Sequence, residues 1–343
     1  MRRQYLGLVV AAMELIVVCD LVRPSTAYAQ LSSWTAQSEN DAYPSWGDDD
    51  YTNGLRFSAD FARAVWWNAL GGGRQACSDE PDPNRACLRT TFMIGQNFYT
   101  PRNITISSVQ PTERPYSAWL YAGMAGRVAR DRRLTSVELQ VGVTGKPALG
   151  KEVQTAWHHL VNAPHPEGWA NQVKPVPGFV GVIVSWDDKF AFERKTRGAA
   201  PFVFADAIPY YRATLGNVHT HAAAGVVLRL GYNIQRNWTE KIGPTFLVAS
   251  AAQPVLPKPR RFTLNVFVAS EARAVAWNAL LQHDTYTSRT LAPISRGVVD
   301  REAGVAIGYR RLSGGFRWVW RSPEFDGGRV SRFAGPYVTW STK

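Results

Sequence analysis

The chain has 343 residues, of which 45% are hydrophobic and 12% aromatic, and a formal net charge of +12. Its length suits one large domain or two ordinary ones, and no segment after the N-terminus reads as a transmembrane helix. The excess of basic over acidic residues favours binding to an anionic lipid surface. We expect no nucleic-acid partner, because the N-terminus indicates export and no nucleic-acid-binding motif is present.

The first 29 residues predict a secretory signal peptide. Arginines stand at positions 2 and 3, residues 6–19 are mostly apolar, and Ala27-Tyr28-Ala29 forms an A-x-A cleavage pattern. Glu14 interrupts the apolar run, so a retained N-terminal transmembrane helix is the alternative. We expect the mature protein to be a single domain, residues 30–343.

An acidic stretch at residues 39–54 reverses the positive sign of the chain. It combines carboxylates, amides and a hydroxyl within a loop that contains glycine and proline: Glu39, Asn40, Asp41, Asp48, Asp49, Asp50, Thr52 and Asn53. Oxygen ligands on a flexible loop are what calcium requires. The same residue types also form ordinary solvated turns, and the stretch alone favours that alternative.

Cys77 and Cys87 are the two cysteines that remain after the signal peptide is removed. They flank a polar loop, and an exported protein meets an oxidising compartment. We therefore expect a disulfide between them.

Alternating apolar and polar residues predict about a dozen strands. The pattern is clearest where Val137, Leu139, Val141 and Val143 alternate with polar residues or glycine. The predicted strands are residues 33–38, 54–67, 91–100, 118–129, 135–144, 178–186, 200–214, 222–232, 245–251, 261–269, 304–311, 316–321 and 336–342.

These strands predict an all-β transmembrane antiparallel barrel. Export, aromatic residues near strand ends and connections of unequal length are typical of outer-membrane barrels. A soluble β-sandwich or soluble barrel also has many short strands and is the alternative, which would have a polar outer surface.

Residues 150–162 break the strand pattern and predict a helix. Val153, Trp157, Leu160 and Val161 recur at helical spacing, and Pro164 follows the end. A second helix is predicted at residues 270–282. On the first helix, His158 stands one turn after Gln154 and is a candidate general base.

Other chemistry is less well supported by the sequence. His219 and His221 share a strand face and could bind a metal, but no third ligand is identifiable. Serine-hydrolase, H-E-x-x-H, P-loop and dinucleotide motifs are absent from the sequence. An enzyme of this type would use water activated by histidine.

Several separated motifs together resemble the outer-membrane lipid A 3'-O-deacylase family. They run in order along nearly the whole mature chain: Asn40-Asp41, Asp50-Tyr51-Thr52-Asn53-Gly54, Gly95-Gln96, Tyr99-Thr100-Pro101, Arg114-Pro115-Tyr116, Trp119-Leu120-Tyr121, Gly150, Gln154, His158, Gly168-Trp169, Gln172, Gly216-Asn217, Arg229, Gly231 and Glu324-Phe325-Asp326-Gly327.

The resemblance implies a twelve-stranded barrel in the outer membrane of a Gram-negative bacterium. The implied reaction is calcium-dependent hydrolysis of the 3' ester-linked acyloxyacyl chain of lipid A, with outer-membrane lipids and lipopolysaccharide as partners and a monomer as the expected state. The implied roles are a general base (His158), polar catalytic residues (Asn40 and Thr52), a calcium ligand (Asp41) and substrate-binding residues (Tyr51, Asn53, Tyr116 and Gln172).

Three features depart from the family pattern. Residues 102–106, after the Tyr-Thr-Pro motif, contain no lysine, although the family has a site lysine there. Pro164 and His165 stand where a second acidic calcium ligand is expected, with Glu167 the nearest acid. The chain also ends without a terminal aromatic residue. A non-enzymatic channel or lipopolysaccharide-binding barrel is therefore the rival hypothesis.

Overall fold

The computed structural model of the chain describes residues 31–45, 50–61, 75–76, 87–130, 132–198, 203–234, 262–286 and 293–342. The expected signal peptide, the predicted strand at residues 245–251 and Cys77 of the expected disulfide lie outside these residues. Among the described helices, none has the length and apolar character needed to cross a membrane.

Twelve long strands dominate the structure, and two short ones, Gln75–Ala76 and Phe192–Lys195, pair at their edges. In chain order, the long strands are β1 Leu31–Asn40, β2 Asn53–Phe61, β3 Cys87–Tyr99, β4 Ser117–Arg130, β5 Arg133–Thr144, β6 Gly181–Phe190, β7 Val203–Gly216, β8 His219–Tyr232, β9 Phe262–Asn278, β10 Gly297–Tyr309, β11 Leu312–Arg321 and β12 Ser331–Ser341.

The strands close into an antiparallel barrel. Each long strand pairs with its neighbours in the sequence, and β1 closes the sheet by pairing with both β2 and β12. Ser33 lies opposite Ser341 in the closing register, and Trp34 lies opposite Trp340. Among the twelve long strands that the structure describes, closure leaves none with a wholly unpaired edge. The predicted barrel of about twelve strands is confirmed.

Side chains alternate between the lumen and the outer surface. The outward positions form an apolar band suited to lipid: Leu55, Phe57, Phe92, Ile94, Val137, Leu139, Val141, Val184, Trp186, Leu228, Leu230, Val266, Val268, Ile307, Trp318, Trp320, Val338 and Trp340. This surface contradicts the alternative of a soluble β-protein, which would be polar outside.

The lumen is filled with buried charges that are paired, mostly across strands and in one case, Lys189 with Asp187, within one strand. These pairs are Arg56 with Glu138, Arg127 with Asp60, Lys189 with Asp187, Arg212 with Glu271, Arg273 and Arg321 with Asp300, Arg229 with Asp206, and Arg317 with Glu302. Pairing is required because an isolated charge in a dry interior is very costly.

The helices lie at one end of the barrel, which we call the loop end. They are α1 (Ala42–Ser45), α2 (Gly150–Val161) and α3 (Ala279–Gln282), with 3₁₀ turns at Lys146–Ala148 and Gly168–Asn171. The predicted helix at residues 150–162 is confirmed. Buried apolar side chains, including Tyr51, Trp119, Leu280 and Phe333, pack together at the loop end of the lumen.

The helix predicted at residues 270–282 is wrong over most of its length. Residues 270–278 continue β9, whose side chains alternate between exposed and buried, and only Ala279–Gln282 is helical. The lumen positions carry Glu271 and Arg273, whereas the outward positions carry Ala272 and Ala274. The outward residues here are alanines, which are small and favour helices, so the alternation with Glu271 and Arg273 does not stand out as a strand pattern.

Candidate functional site

The two asparagines predicted for the site face each other across β1 and β2. Asn40 is opposite Asn53, and its Nδ2 donates to Asn53 Oδ1 at 3.4 Å. Its Oδ1 accepts from the Ala42 backbone N–H at 2.7 Å and so fixes the start of α1. Because the neighbouring Glu39 points into the lumen and is fully buried, strand alternation directs Asn40 to the outer wall.

Asp41 and Thr52 tie three strand ends together. The Asp41 N–H donates to the Thr52 carbonyl at 3.4 Å, and the Thr52 N–H donates to the Phe98 carbonyl at 3.2 Å. The hydroxyls of Thr52 and Thr100 are 2.6 Å apart. The side chains of Asp41 and Thr52 are buried at these strand ends, at the loop end of the barrel. The structure thus brings the oxygen-bearing residues of the first two motifs together.

Tyr51, predicted to bind substrate, points instead into the lumen. Its hydroxyl donates to Glu39 Oε2 at 2.9 Å and accepts from Asn97 Nδ2 at 3.0 Å. Its ring packs edge-on against Phe333 and is fully buried. These contacts support the strand ends from inside the barrel, and a direct substrate contact stays a prediction.

Helix α2 packs on the outside of the barrel. A Cβ on Gly150 would lie 2.8 Å from the Ala118 Cβ and 2.3 Å from the Trp169 ring, so the glycine permits close approach. Ala118 faces outward because its neighbour Trp119 is buried in the lumen. Val153 of α2 packs against the same outer cluster. The candidate site therefore lies between the barrel wall and the lipid.

His158 is buried on the wall-facing side of α2. Its Nδ1 lies 2.6 Å from the carbonyl oxygen of Pro164. A carbonyl can only accept, so Nδ1 carries the proton and the neutral imidazole holds its lone pair on Nε2. The Ala163 N–H donates to the His158 carbonyl at 2.8 Å and closes the end of the helix. This arrangement sets the tautomer that a general base requires.

Tyr116 and Gln172 surround Trp169 beneath α2. The Tyr116 hydroxyl donates to the Ile104 carbonyl at 3.1 Å, and its ring centroid lies 4.9 Å from that of Trp169. Gln172 Nε2 donates to the Trp169 carbonyl at 3.1 Å, whereas its buried Oε1 accepts no hydrogen bond from the described residues. Trp169 Nε1 in turn donates to Gln154 Oε1 at 2.8 Å and anchors α2.

Calcium fits the kind of donors at the strand ends. Asp41, Asn40 and Thr52 supply carboxylate, amide and hydroxyl oxygens, which are hard ligands. Asp48 and Asp49 lie outside the described residues, and Asp50 accepts from the Ser331 hydroxyl at 3.1 Å. Within the described ranges, no group of three or more His, Cys, Asp or Glu side chains could hold a metal ion. A calcium site here would rely on neutral oxygens beside Asp41.

The other histidine pair lies elsewhere, in the lumen. His219 and His221 have their Nδ1 atoms 2.9 Å apart and are both buried. They project from the lumen side of β8, whereas the candidate site lies on the outside of the barrel wall. They therefore play no part in the candidate site.

Arg114 and Glu324 form a contact that sequence reasoning did not pair. Arg114 Nη1 lies 2.6 Å from Glu324 Oε2 and joins the β3–β4 loop to the loop after β11. Burial alone would raise the pKa of Glu324, but Arg114 and Arg321 hold it at about 2. The two residues are 210 positions apart, and no local pattern relates them.

A family model and one solved structure agree with this architecture. The family model described as outer membrane protein LpxR matches residues 9–341. The structure of LpxR from Salmonella typhimurium superposes with a TM-score of 0.73 at 20% identity, covering 90% of this chain and 99% of that one. The β domain of the Bordetella autotransporter Brka gives 0.42 at 8% identity, covering 92% and 100%. No curated protein sequence matches.

Proposed function

The chain belongs to the outer membrane protein LpxR family and is an outer-membrane barrel, and from this premise we propose that it is a lipid A 3'-O-deacylase. The observation that carries the proposal is the pairing of His158 Nδ1 with the Pro164 carbonyl, on a helix packed against the outer wall. A histidine with its lone pair on Nε2, at a lipid-facing wall, suits hydrolysis of a lipid ester.

In the proposed reaction, His158 Nε2 takes a proton from a water molecule as that water attacks the ester carbonyl carbon. The C–O bond to the sugar 3' oxygen then breaks, and the imidazolium returns the proton to that oxygen. The products are a free 3' hydroxyl group and an acyloxyacyl carboxylic acid. The Pro164 carbonyl stabilises the imidazolium through Nδ1–H.

Asn40 and Thr52 would orient the water and the ester, and Asp41 with its neighbouring neutral oxygens would hold calcium. A calcium ion bound there would stabilise the negative charge that develops on the ester carbonyl oxygen. Arg102, exposed in the β3–β4 loop, is the cation nearest in sequence to the position of the missing family lysine.

Gln172 is the best supported of the substrate-binding residues. Its buried Oε1 accepts nothing from the described residues and could accept an N–H or hydroxyl of the substrate. Asn53 lies at the strand ends and accepts a hydrogen bond from Asn40. Tyr116 packs against Trp169, which lies beside Gln172. We expect lipopolysaccharide and its outer-membrane neighbours to be the partners, and the barrel to act as a monomer.

The paired charges and apolar packing of the lumen argue against the channel alternative. A conducting pore keeps a polar, water-filled interior, whereas here the loop end of the lumen is closed by large buried side chains such as Trp119 and Phe333. A barrel that binds lipopolysaccharide without cleaving it is the other outcome of the test.

The test is mass spectrometry of lipid A from cells that express the chain, with and without calcium chelation. We expect loss of the 3' acyloxyacyl chain with the wild type and no loss with His158→Ala. The matched control is His159→Ala, which changes an exposed histidine on the same helix and should retain activity. Unchanged deacylation by the His158 variant would refute its role as base, and intact lipid A throughout would refute the enzyme.

A further inference from the structure

The twelve residues of α2 divide into three faces. Each residue turns the helix by about 100°, so residues of similar environment cluster on its surface. The face toward the barrel is buried and consists of Gly150, Gln154 and His158. The other two faces are exposed, one polar with Lys151, Glu152 and His159, the other apolar with Trp157 and Leu160. The exposed Val161, in the last turn, continues the apolar face where it borders the wall face.

The apolar face is unusually open. Trp157 is 50% exposed, Leu160 74% and Val161 48%. In water, three large side chains on a short helix would leave apolar surface exposed. Each Å² of that surface costs about 25 cal/mol of free energy relative to burial. The polar face on the opposite side shows that the helix has one side suited to water and another suited to lipid.

The apolar face is continuous with the lipid-facing wall of the barrel. Val153, at its edge, packs on the outer cluster together with Leu120 and Val143. Leu120 lies opposite Val143 in the β4–β5 register, and the outward positions of β5 continue as the exposed Leu139 and Val141. The same apolar surface therefore runs from the strands that cross the membrane onto the underside of α2.

We propose that α2 is an interfacial helix whose face of Trp157, Leu160 and Val161 inserts among the acyl chains of the outer leaflet. The wall face then holds the helix against β4, and the polar face meets the aqueous surface. A further consequence rests on the proposed function. Insertion places His158 at the depth where an acyl chain joins its sugar, so that the apolar face also aligns the chain to be cleaved.

Insertion is measured by site-directed spin labelling of the full chain in liposomes that contain lipopolysaccharide. A nitroxide is attached at Leu160→Cys and, as the matched control, at His159→Cys on the polar face. Wild type treated with the same reagent reports any label on the native cysteines. We expect the label at 160 to collide mainly with oxygen and the label at 159 mainly with a water-soluble nickel chelate. Nickel accessibility at both positions would overturn the proposal.

The functional consequence is measured separately, as deacylation of lipid A in bilayers and in detergent micelles. We expect Leu160→Ser to raise KM in bilayers by roughly tenfold, with little change in micelles, and His159→Ser to change neither. Equal effects in both media would refute alignment by the inserted face. If the label shows insertion but no preparation cleaves lipid A, the proposed function fails while the interfacial helix stands.

Discussion

Replacing Glu324 with glutamine removes the charge partner of a fully buried guanidinium. Arg114 has no exposed side-chain surface, Glu324 keeps 11%, and their closest atoms are 2.6 Å apart. Arg321 also lies 3.6 Å from the same carboxylate but is held by Asp300. The substitution therefore acts mainly on Arg114 and on the loop that carries it.

The expected cost follows from the contacts that remain. Breaking a buried pair by removing one partner costs about 3–5 kcal/mol, because a charge is left uncompensated. Arg114 also lies 4.1 Å above the Tyr99 ring, and that cation–π contact, worth about 1 kcal/mol, survives the change. We therefore expect Glu324→Gln to lower the free energy of unfolding by about 3 kcal/mol.

The assay is urea unfolding in lipid vesicles, followed by tryptophan fluorescence, for Glu324→Gln, Arg114→Met and the double variant. The double variant should be more stable than Glu324→Gln alone, because it leaves no buried charge. Arg329→Met, on an exposed arginine of the same loop, is the control and should change stability by less than about 0.5 kcal/mol. Single costs that add in the double variant to within about 0.5 kcal/mol would refute the coupling.

Three further predictions concern pH, packing and conduction. Arg114 and its neighbours hold the pKa of Glu324 at about 2, below its ordinary value of 4.5. The ionised carboxylate therefore stabilises the fold at pH values above 4.5. This stabilisation should disappear as the pH falls from about 5 to about 2. The urea midpoint of the wild type should fall over that range, and the midpoint of Glu324→Gln should lack this part of the pH dependence. Gly150→Val should push α2 away from Trp169. We expect slower deacylation and a free energy of unfolding that is lower by about 1–3 kcal/mol. Gly297→Ala, with open space around its Cβ, should leave both unchanged. In planar bilayers, the purified barrel should give no stable single-channel current, and a steady conductance would contradict the closed lumen.

The barrel could be predicted because its pattern is local. Each strand alternates between lipid and lumen, and that alternation is visible wherever the outward residues are large, as in β5 and β11. The pattern weakens where both faces carry small or charged side chains. For that reason, the strand predicted at residues 261–269 was about half the length of β9.

The candidate site was predictable only as a set of residues. The motifs indicated Asn40, Asp41 and His158, but periodicity could not show that α2 packs outside the barrel. Tyr51 illustrates the limit. Counting back from the outward Asn53 places Tyr51 outward as well, but β2 begins only at Asn53, and the alternation of a strand does not extend to residues 51 and 52. The side chain instead enters the lumen.

The packed lumen fits the proposed position of the site on the outer wall. In the proposed reaction, the lipid ester would reach His158 from the bilayer and the attacking water would come from the aqueous side. A closed interior would admit neither of them. On α2, His158 is the residue of the buried wall face that lies next to the polar exposed face, one turn from Thr155 and two turns from Lys151. The apolar face begins on the other side of the wall contact. With α2 placed as proposed, the histidine would border the aqueous side, and the neighbouring apolar surface of the same helix would border the lipid. For the proposed reaction, we therefore expect the two reactants to meet at a single imidazole, at the loop end of the barrel.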